Sequence, residues 1–137
     1  MADSFHVLVI DDNDLDREIT ARQLSAAWPF EHELTTDFAS DGSEALRKMR
    51  ETSFALIVLD WKLSGMAGSE VLRHIRQLGI HIPVIVLSGL QRHQIPDDVE
   101  SHGAVFLNKD EMTSAGFRAA VSEALRLAGL TPAETAR

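Results

Sequence analysis

The stretch "FALIVLDWKLSG", Phe54 to Gly65, drives an unbroken apolar run into a carboxylate at Asp60. The same placement recurs along the chain. Asp11 and Asp12 follow "FHVLVI", Ser88 follows "IPVIVL", and Asn108 with Lys109 follow "GAVFL". Three carboxylates brought to one place repel each other and raise their own pKa values unless a cation neutralises them. A few hard oxygen ligands, with room left for waters and a phosphate, suit Mg2+ better than zinc or an all-protein calcium cage. The ammonium of Lys109 and the hydroxyl of Ser88 are complementary parts for the oxygens of an incoming phosphoryl group. In that setting Asp60 is a carboxylate nucleophile that becomes an aspartyl phosphate.

These residues can meet only if the apolar runs are neighbouring strands that point the same way. Apolar runs and helical patterns do alternate regularly. Phe5–Ile10 reads as a first strand, and Leu15, Ile19 and Leu24 mark one face of a helix that reaches about Ala27 and is stopped by Pro29. A second strand is expected near His32–Ala39. Asp41 and Glu44 outline a capping box that opens a helix carrying Ala45, Leu46 and Met49. The third strand is Phe54–Leu59, and an amphipathic helix runs from Gly68 to Gly79. "IPVIVLSG" and "GAVFLNK" are the fourth and fifth strands, with a short fourth helix expected between them near Asp97–His102, after Pro96. The last helix, about Thr113–Ala128, presents Phe117, Val121 and Leu125 on one side, and "TPAETAR" forms a small polar tail. Such alternation predicts one α/β domain with a parallel sheet covered on both faces. The C-terminal ends of parallel strands share one edge, where open α/β folds bind ligands.

Composition narrows the function classes. The chain has 137 residues, 45% apolar and 25% charged, which matches one ordinary core. No apolar run approaches the roughly 18 residues of a membrane span, and the N-terminus lacks the basic region of a secretory signal. Without cysteine there is no disulfide framework or thiolate metal site. A cytoplasmic setting is therefore expected, with no membrane contact. The net charge of −8 and the scattered basic residues argue against direct nucleic-acid binding.

From about Phe5 to Ala128 the chain resembles the response-regulator receiver domains of two-component signalling. The acidic pair Asp11-Asp12 sits after the first strand, "LDWKLSGMAG" is similar to the phosphoacceptor strand and its loop, "VLSG" to the hydroxyl-then-small-residue pattern, and "GAVFLNK" to the segment with the aromatic switch and lysine. The resemblance implies a flavodoxin-like doubly wound sheet of five strands in the order 2-1-3-4-5 with five helices, a receiver domain over residues 1–129 and a tail over 130–137. It implies phosphorylation of Asp60 by a histidine kinase or histidine phosphotransfer protein, with Mg2+ held by Asp12, Asp60 and the backbone carbonyl of Lys62, and Asp11 assisting through water. Ser88 and Lys109 would contact the phosphoryl oxygens. Ser88 would move toward them and Phe106 would turn inward, reshaping the face of the fourth helix, fifth strand and fifth helix for a downstream protein partner or a second copy of the chain. Beyond its own phosphorylation and dephosphorylation, no enzymatic turnover is expected. The alternative is a binding module with the same fold that works without phosphorylation.

Several residues depart from the pattern or admit other readings. Ser64 and Asp110 stand where the family usually has proline, and a non-proline cis bond before Asp110 would cost about 3 kcal/mol. Lys62 could place its ammonium near the phosphoryl group. "DDNDLDRE" imitates an EF-hand opening, but Arg17 and Gln23 occupy the glycine and glutamate positions, so Asp14 and Asp16 read as first-turn helix acids. A haloacid-dehalogenase-type phosphoaspartate enzyme needs a second Asp where Lys62 stands. The six histidines lack metal-ligand spacing, and only His93 could approach the site. Phe106 stays open between a static core aromatic and a moving one, and Trp61 between a core plug and an exposed docking residue.

Overall fold

A computed structural model describes residues 4–28, 33–63, 65–78, 81–89 and 103–128. The elements are β1 (Ser4–Ile10), α1 (Asp14–Ala27), β2 (Glu33–Ala39), α2 (Gly42–Glu51), β3 (Leu56–Asp60), α3 (Gly68–Gln77), β4 (Val84–Ser88), β5 (Ala104–Asn108), a 3-10 turn (Lys109–Glu111) and α4 (Ser114–Leu127). All strand pairings are parallel, as the alternation predicts, and the order is β2-β1-β3-β4-β5, as the family resemblance implies. Four α-helices fall among the described residues. The fourth helix expected near Asp97–His102, together with Ser64, His93 and the tail, lies outside them.

Strand residues alternate between two cores, because successive side chains of a strand point to opposite faces. Leu8, Ile10, Ile57, Leu59, Val84 and Val86 pack with Ala45, Leu46 and Met49 of α2 and with Val71, Leu72 and Ile75 of α3. Val7, Val9, Leu56, Val58, Ile85 and Leu87 pack with Leu24 and Ala27 of α1 and with Phe117, Ala120, Val121, Ala124 and Leu125 of α4. A sheet buried on both faces needs continuous apolar strands, and β3 and β4 are buried throughout.

Local chemistry sets the ends of the helices. Asn13 caps α1 by accepting from the Asp16 N–H, and Trp28, the residue before a proline, leaves the helical region at ψ 117°. Asp41 accepts from the Glu44 N–H, while the Glu44 carboxylate reaches back to the N–H of Ser40, one residue earlier than a standard box. One expectation needs correction. Leu15 and Ile19 do not belong to the buried face of α1: they are 64% and 42% exposed, and the face turned inward is Thr20, Leu24 and Ala27. Those three follow helical spacing equally well, but a polar Thr20 does not mark a buried face in the sequence. The third strand begins two residues later than expected and takes in Asp60, since Ala55 donates to the His6 carbonyl as a lead-in to the ladder.

Candidate functional site

The C-terminal edge of the sheet gathers most of the polar residues singled out in the sequence. One carboxylate oxygen from each of Asp11, Asp12 and Asp60 lies within 4.8 Å of the others. Asp11 and Asp60 are buried and Asp12 is exposed. Lys109 brings its Nζ to 3.3 Å from Asp60 Oδ1, its own side chain 38% exposed at the mouth of the site. Ser88 and Asn108 are buried and lie opposite each other in the β4–β5 register. Phe106 is half-buried, packed against the core shared with α2 and α3.

Backbone hydrogen bonds hold the carboxylates in place. Asp11 Oδ1 accepts from the Asn13 N–H at 3.0 Å, and Asp60 Oδ1 accepts from the Lys62 N–H at 3.3 Å. Burial pushes the Asp11 carboxyl up to about 6; the Asn13 N–H opposes this, the charge of Asp60 adds to it, and Lys109 offsets part. The Trp61 N–H continues the β3–β4 ladder by donating to the Leu87 carbonyl at 2.9 Å. Trp61 is half-buried against the core, so it acts as a partial plug beneath the loop. Gly68 makes this seat possible, because a Cβ there would stand 2.8 Å from the Trp61 carbonyl oxygen. The side chain of Lys62 is exposed.

Two residues gain roles that their sequence positions did not signal. Arg17, read only as a misfit in a calcium loop, donates to the Asp11 carbonyl at 2.8 Å, pairs with Asp14 and lies over the Phe38 ring at 5.9 Å. It therefore ties the acidic loop to β2. Asn108, noted only as a strand-end polar residue, accepts from the Asp110 N–H at 2.8 Å. An Asn one residue before a chemically active Lys is a weak cue without the turn it caps.

The site opens into a cleft of about 270 Å³ between α1 and the loop after β5, with Asp11, Ile19, Lys109 and Met112 among its walls. The donor set fits a small hard dication. Among the described residues it offers carboxylate oxygens without thiol or imidazole, and three carboxylates set against the Lys109 ammonium keep a formal charge of −2. Burial is the main cause of the raised Asp11 carboxyl, and the neighbouring Asp60 charge adds to it. No helix among the described residues is long and apolar enough to cross a membrane.

Comparison with known proteins agrees with this geometry. A profile of the response regulator receiver domain matches residues 7–121. A protein-glutamate methylesterase/protein-glutamine glutaminase of Treponema denticola is 29% identical over 126 residues, which covers 90% of this chain and 33% of that protein. The chain spans only about a third of the length of the first curated relatives it matches. A response regulator receiver domain protein from Clostridium thermocellum superposes with a TM-score of 0.73 at 26% identity, covering 89% of this chain and 94% of the other. The response regulator protein TrrA from Thermotoga maritima, solved in complex with Mg2+ and BeF, gives a TM-score of 0.65 at 25% identity, over 77% of this chain and 86% of that one. With the fold, the strand order and the profile in agreement, this chain belongs to the response regulator receiver domain family.

Proposed function

We propose that the chain is a phosphorylatable signalling domain that accepts a phosphoryl group on Asp60 from a histidine kinase or histidine phosphotransfer protein, with Mg2+ as its cofactor. The observation that carries this reading is the meeting of Asp11, Asp12 and Asp60 within 4.8 Å, with the Lys109 ammonium 3.3 Å from Asp60. A purely structural role gives no reason to bury two carboxylates beside each other, since desolvation and mutual repulsion both disfavour the arrangement. Mg2+ bound at TrrA supports the choice of cation, since that relative shares the fold.

Asp12, Asp60 and the carbonyl of Lys62 would hold Mg2+ directly, with Asp11 assisting through water. When bound, the ion supplies positive charge against the transferring oxygens. Asp60 stands at the end of a strand buried along its whole length, so its carboxylate is aimed before the donor arrives. Its oxygen attacks phosphorus as the bond to the donor's imidazole nitrogen breaks, and the electron pair of that bond stays on nitrogen. With the other ring nitrogen of the donor protonated, the products are a mixed anhydride on Asp60 and a neutral imidazole. Lys109 meets the phosphoryl charge at the outer side, and the Ser88 hydroxyl donates to a phosphoryl oxygen.

A protein donor must approach over the mouth of the site, and exposed Leu15 and Ile19 on α1 give it an apolar contact beside the cleft. Movement of Ser88 toward the new oxygens would free space for Phe106. The resulting change reaches the surface of the segment 97–102, β5 and α4, the proposed face for a downstream partner or a second copy. The domain's own chemistry is limited to gaining and losing this phosphoryl group. Incubation with Mg2+ and acetyl phosphate followed by intact mass tests the reading: the wild type gains one phosphoryl and Asp60→Asn gains none. Equal gain by both, or gain by neither, overturns it.

A further inference from the structure

Lys109 lies in a loop with no proline to fix it, yet its amine reaches a single carboxylate at the end of a different strand. Without proline, the loop needs another constraint. Asn108 provides one. Its side chain is turned inward, 6% exposed, and its Oδ1 accepts the Asp110 N–H at 2.8 Å, closing a turn around Lys109. The 3-10 turn Lys109–Glu111 starts on this bond. Its far end is locked as well: Thr113 donates its N–H to the Glu111 carbonyl at 2.8 Å and accepts the Gly116 N–H at 3.0 Å. Gly116 allows this closure, since a Cβ there would stand 2.0 Å from the Glu111 carbonyl oxygen. The run from Asn108 to Gly116 is thus pinned at both ends, and Lys109 sits at the start of the pinned segment.

We infer that Asn108 is a positioning residue: its side-chain amide, by capping the Asp110 N–H, sets the backbone from which Lys109 reaches Asp60. The catalytic part of this inference rests on the function proposed above, because it is the phosphoryl group at Asp60 that a placed Lys109 would serve. Without the cap, the planar peptide between Lys109 and Asp110 loses the bond that fixes its orientation, and a displacement of about 1 Å at a reacting group costs up to ~100-fold in rate. On this inference the effect of Asn108 passes through Lys109, by way of the Asp110 N–H that it caps.

The test compares wild type, Asn108→Ala, Asn108→Ser, Lys109→Ala and the Asn108→Ala/Lys109→Ala double variant in the full chain. Two readouts are taken: the rate of phosphoryl gain from acetyl phosphate with Mg2+, and the rate at which acetic anhydride labels the Lys109 amine without Mg2+ or phosphodonor. Lys62, exposed and outside the loop, is the internal reference for labelling. Asn108→Ala is expected to slow phosphoryl gain about tenfold or more and to speed Lys109 labelling relative to Lys62. Asn108→Ser, which keeps a shorter acceptor, is expected to fall between it and the wild type in both. In the Lys109→Ala background the Asn108 change is expected to add nothing. Unchanged labelling of Lys109, or the same slowing with and without Lys109, overturns the inference. Should Asn108→Ala fail to fold, Asn108→Ser alone decides, and wild-type values in both readouts overturn the inference. If the wild type gains no phosphoryl, the proposed function falls and the labelling alone decides whether Asn108 positions Lys109.

Discussion

Replacing Asp60 by asparagine should make the protein more stable when divalent cations are absent and should remove most of its response to Mg2+. Asp60 is 5% exposed and shares its site with Asp11 and Asp12. At an effective dielectric of 20, a like charge within 4.8 Å repels by at least about 3.5 kcal/mol, which estimates the Asp11 contribution. Asp12 is exposed and adds roughly 1 kcal/mol. Against this stands the Lys109 pair at 3.3 Å, about 5 kcal/mol on the same scale before screening. Because Lys109 is 38% exposed, solvent reduces that attraction to roughly half. The amide also escapes the several-kcal/mol cost of burying a charge. The charge terms alone favour the amide over the carboxylate by about 2 kcal/mol, the burial cost only adds to this, and for a domain of this size Tm rises by at least roughly 5 °C. Saturating Mg2+ at about a hundred times its Kd should stabilise the wild type by ~2.7 kcal/mol and the variant far less. Thermal melts followed by circular dichroism, in chelator and in Mg2+, give all four values. A variant that melts below the wild type in chelator would refute the view that this cluster is destabilising until a cation fills it.

Other outcomes follow from single contacts. Lys62→Ala removes an exposed ammonium two residues past the acceptor and should shorten the lifetime of the phosphoryl group about threefold, as P–O hydrolysis gains access to water; an unchanged dephosphorylation rate by intact mass contradicts a role for Lys62. Leu15→Ala with Ile19→Ala should slow transfer from a phosphohistidine protein about tenfold while leaving acetyl phosphate unaffected, since truncating exposed contact residues changes stability by only about 0.5 kcal/mol. Equal slowing with both donors would count against a docking role. Burial alone would raise the Asp37 carboxyl, but the hydrogen bond from Lys48, the Phe38 N–H and nearby positive charge lower it below its ordinary 3.8. With the folded value depressed, the carboxylate stabilises the fold above 3.8, and that contribution is lost as pH falls through the lower folded value. Asp37→Asn should therefore flatten the acid limb of the urea stability curve by less than about 1 kcal/mol, given a side chain 41% exposed. An unaltered limb would show that the Lys48 pair contributes nothing.

Much of the fold was legible because buried parallel strands leave an unmistakable mark. "VLVI", "LIVL" and "VIVL" admit no exposed face, and the polar residue ending each run announced the edge where the site lies. Strand order alone brings Asp11, Asp12, Asp60 and Lys109 to that edge, which is why their meeting could be expected from the sequence. What could not be read were groups whose role depends on direction. Leu15 and Ile19 carry the same residue types as a buried face, and only the packing of α1 against β1 and α4 shows that the inward stripe runs through Thr20 instead. Arg17 acts through a guanidinium six residues from the carbonyl it holds, a contact invisible to motif spacing. Asn108 looks like any strand-end amide until the Lys109–Glu111 turn forms on it. The missing proline at Asp110 marked the place where something else had to constrain the loop, though not which atom does so.

The most direct measurement is the chemical identity of residue 60 after phosphorylation. Borohydride reduces an acyl phosphate to an alcohol, so treating the Mg2+- and acetyl phosphate-incubated protein and sequencing its peptides by mass spectrometry locates the anhydride. Homoserine at position 60, absent when Mg2+ is chelated, is the predicted result. Homoserine at another aspartate, or unreduced aspartate throughout, would contradict the assignment of Asp60 as the phosphoacceptor.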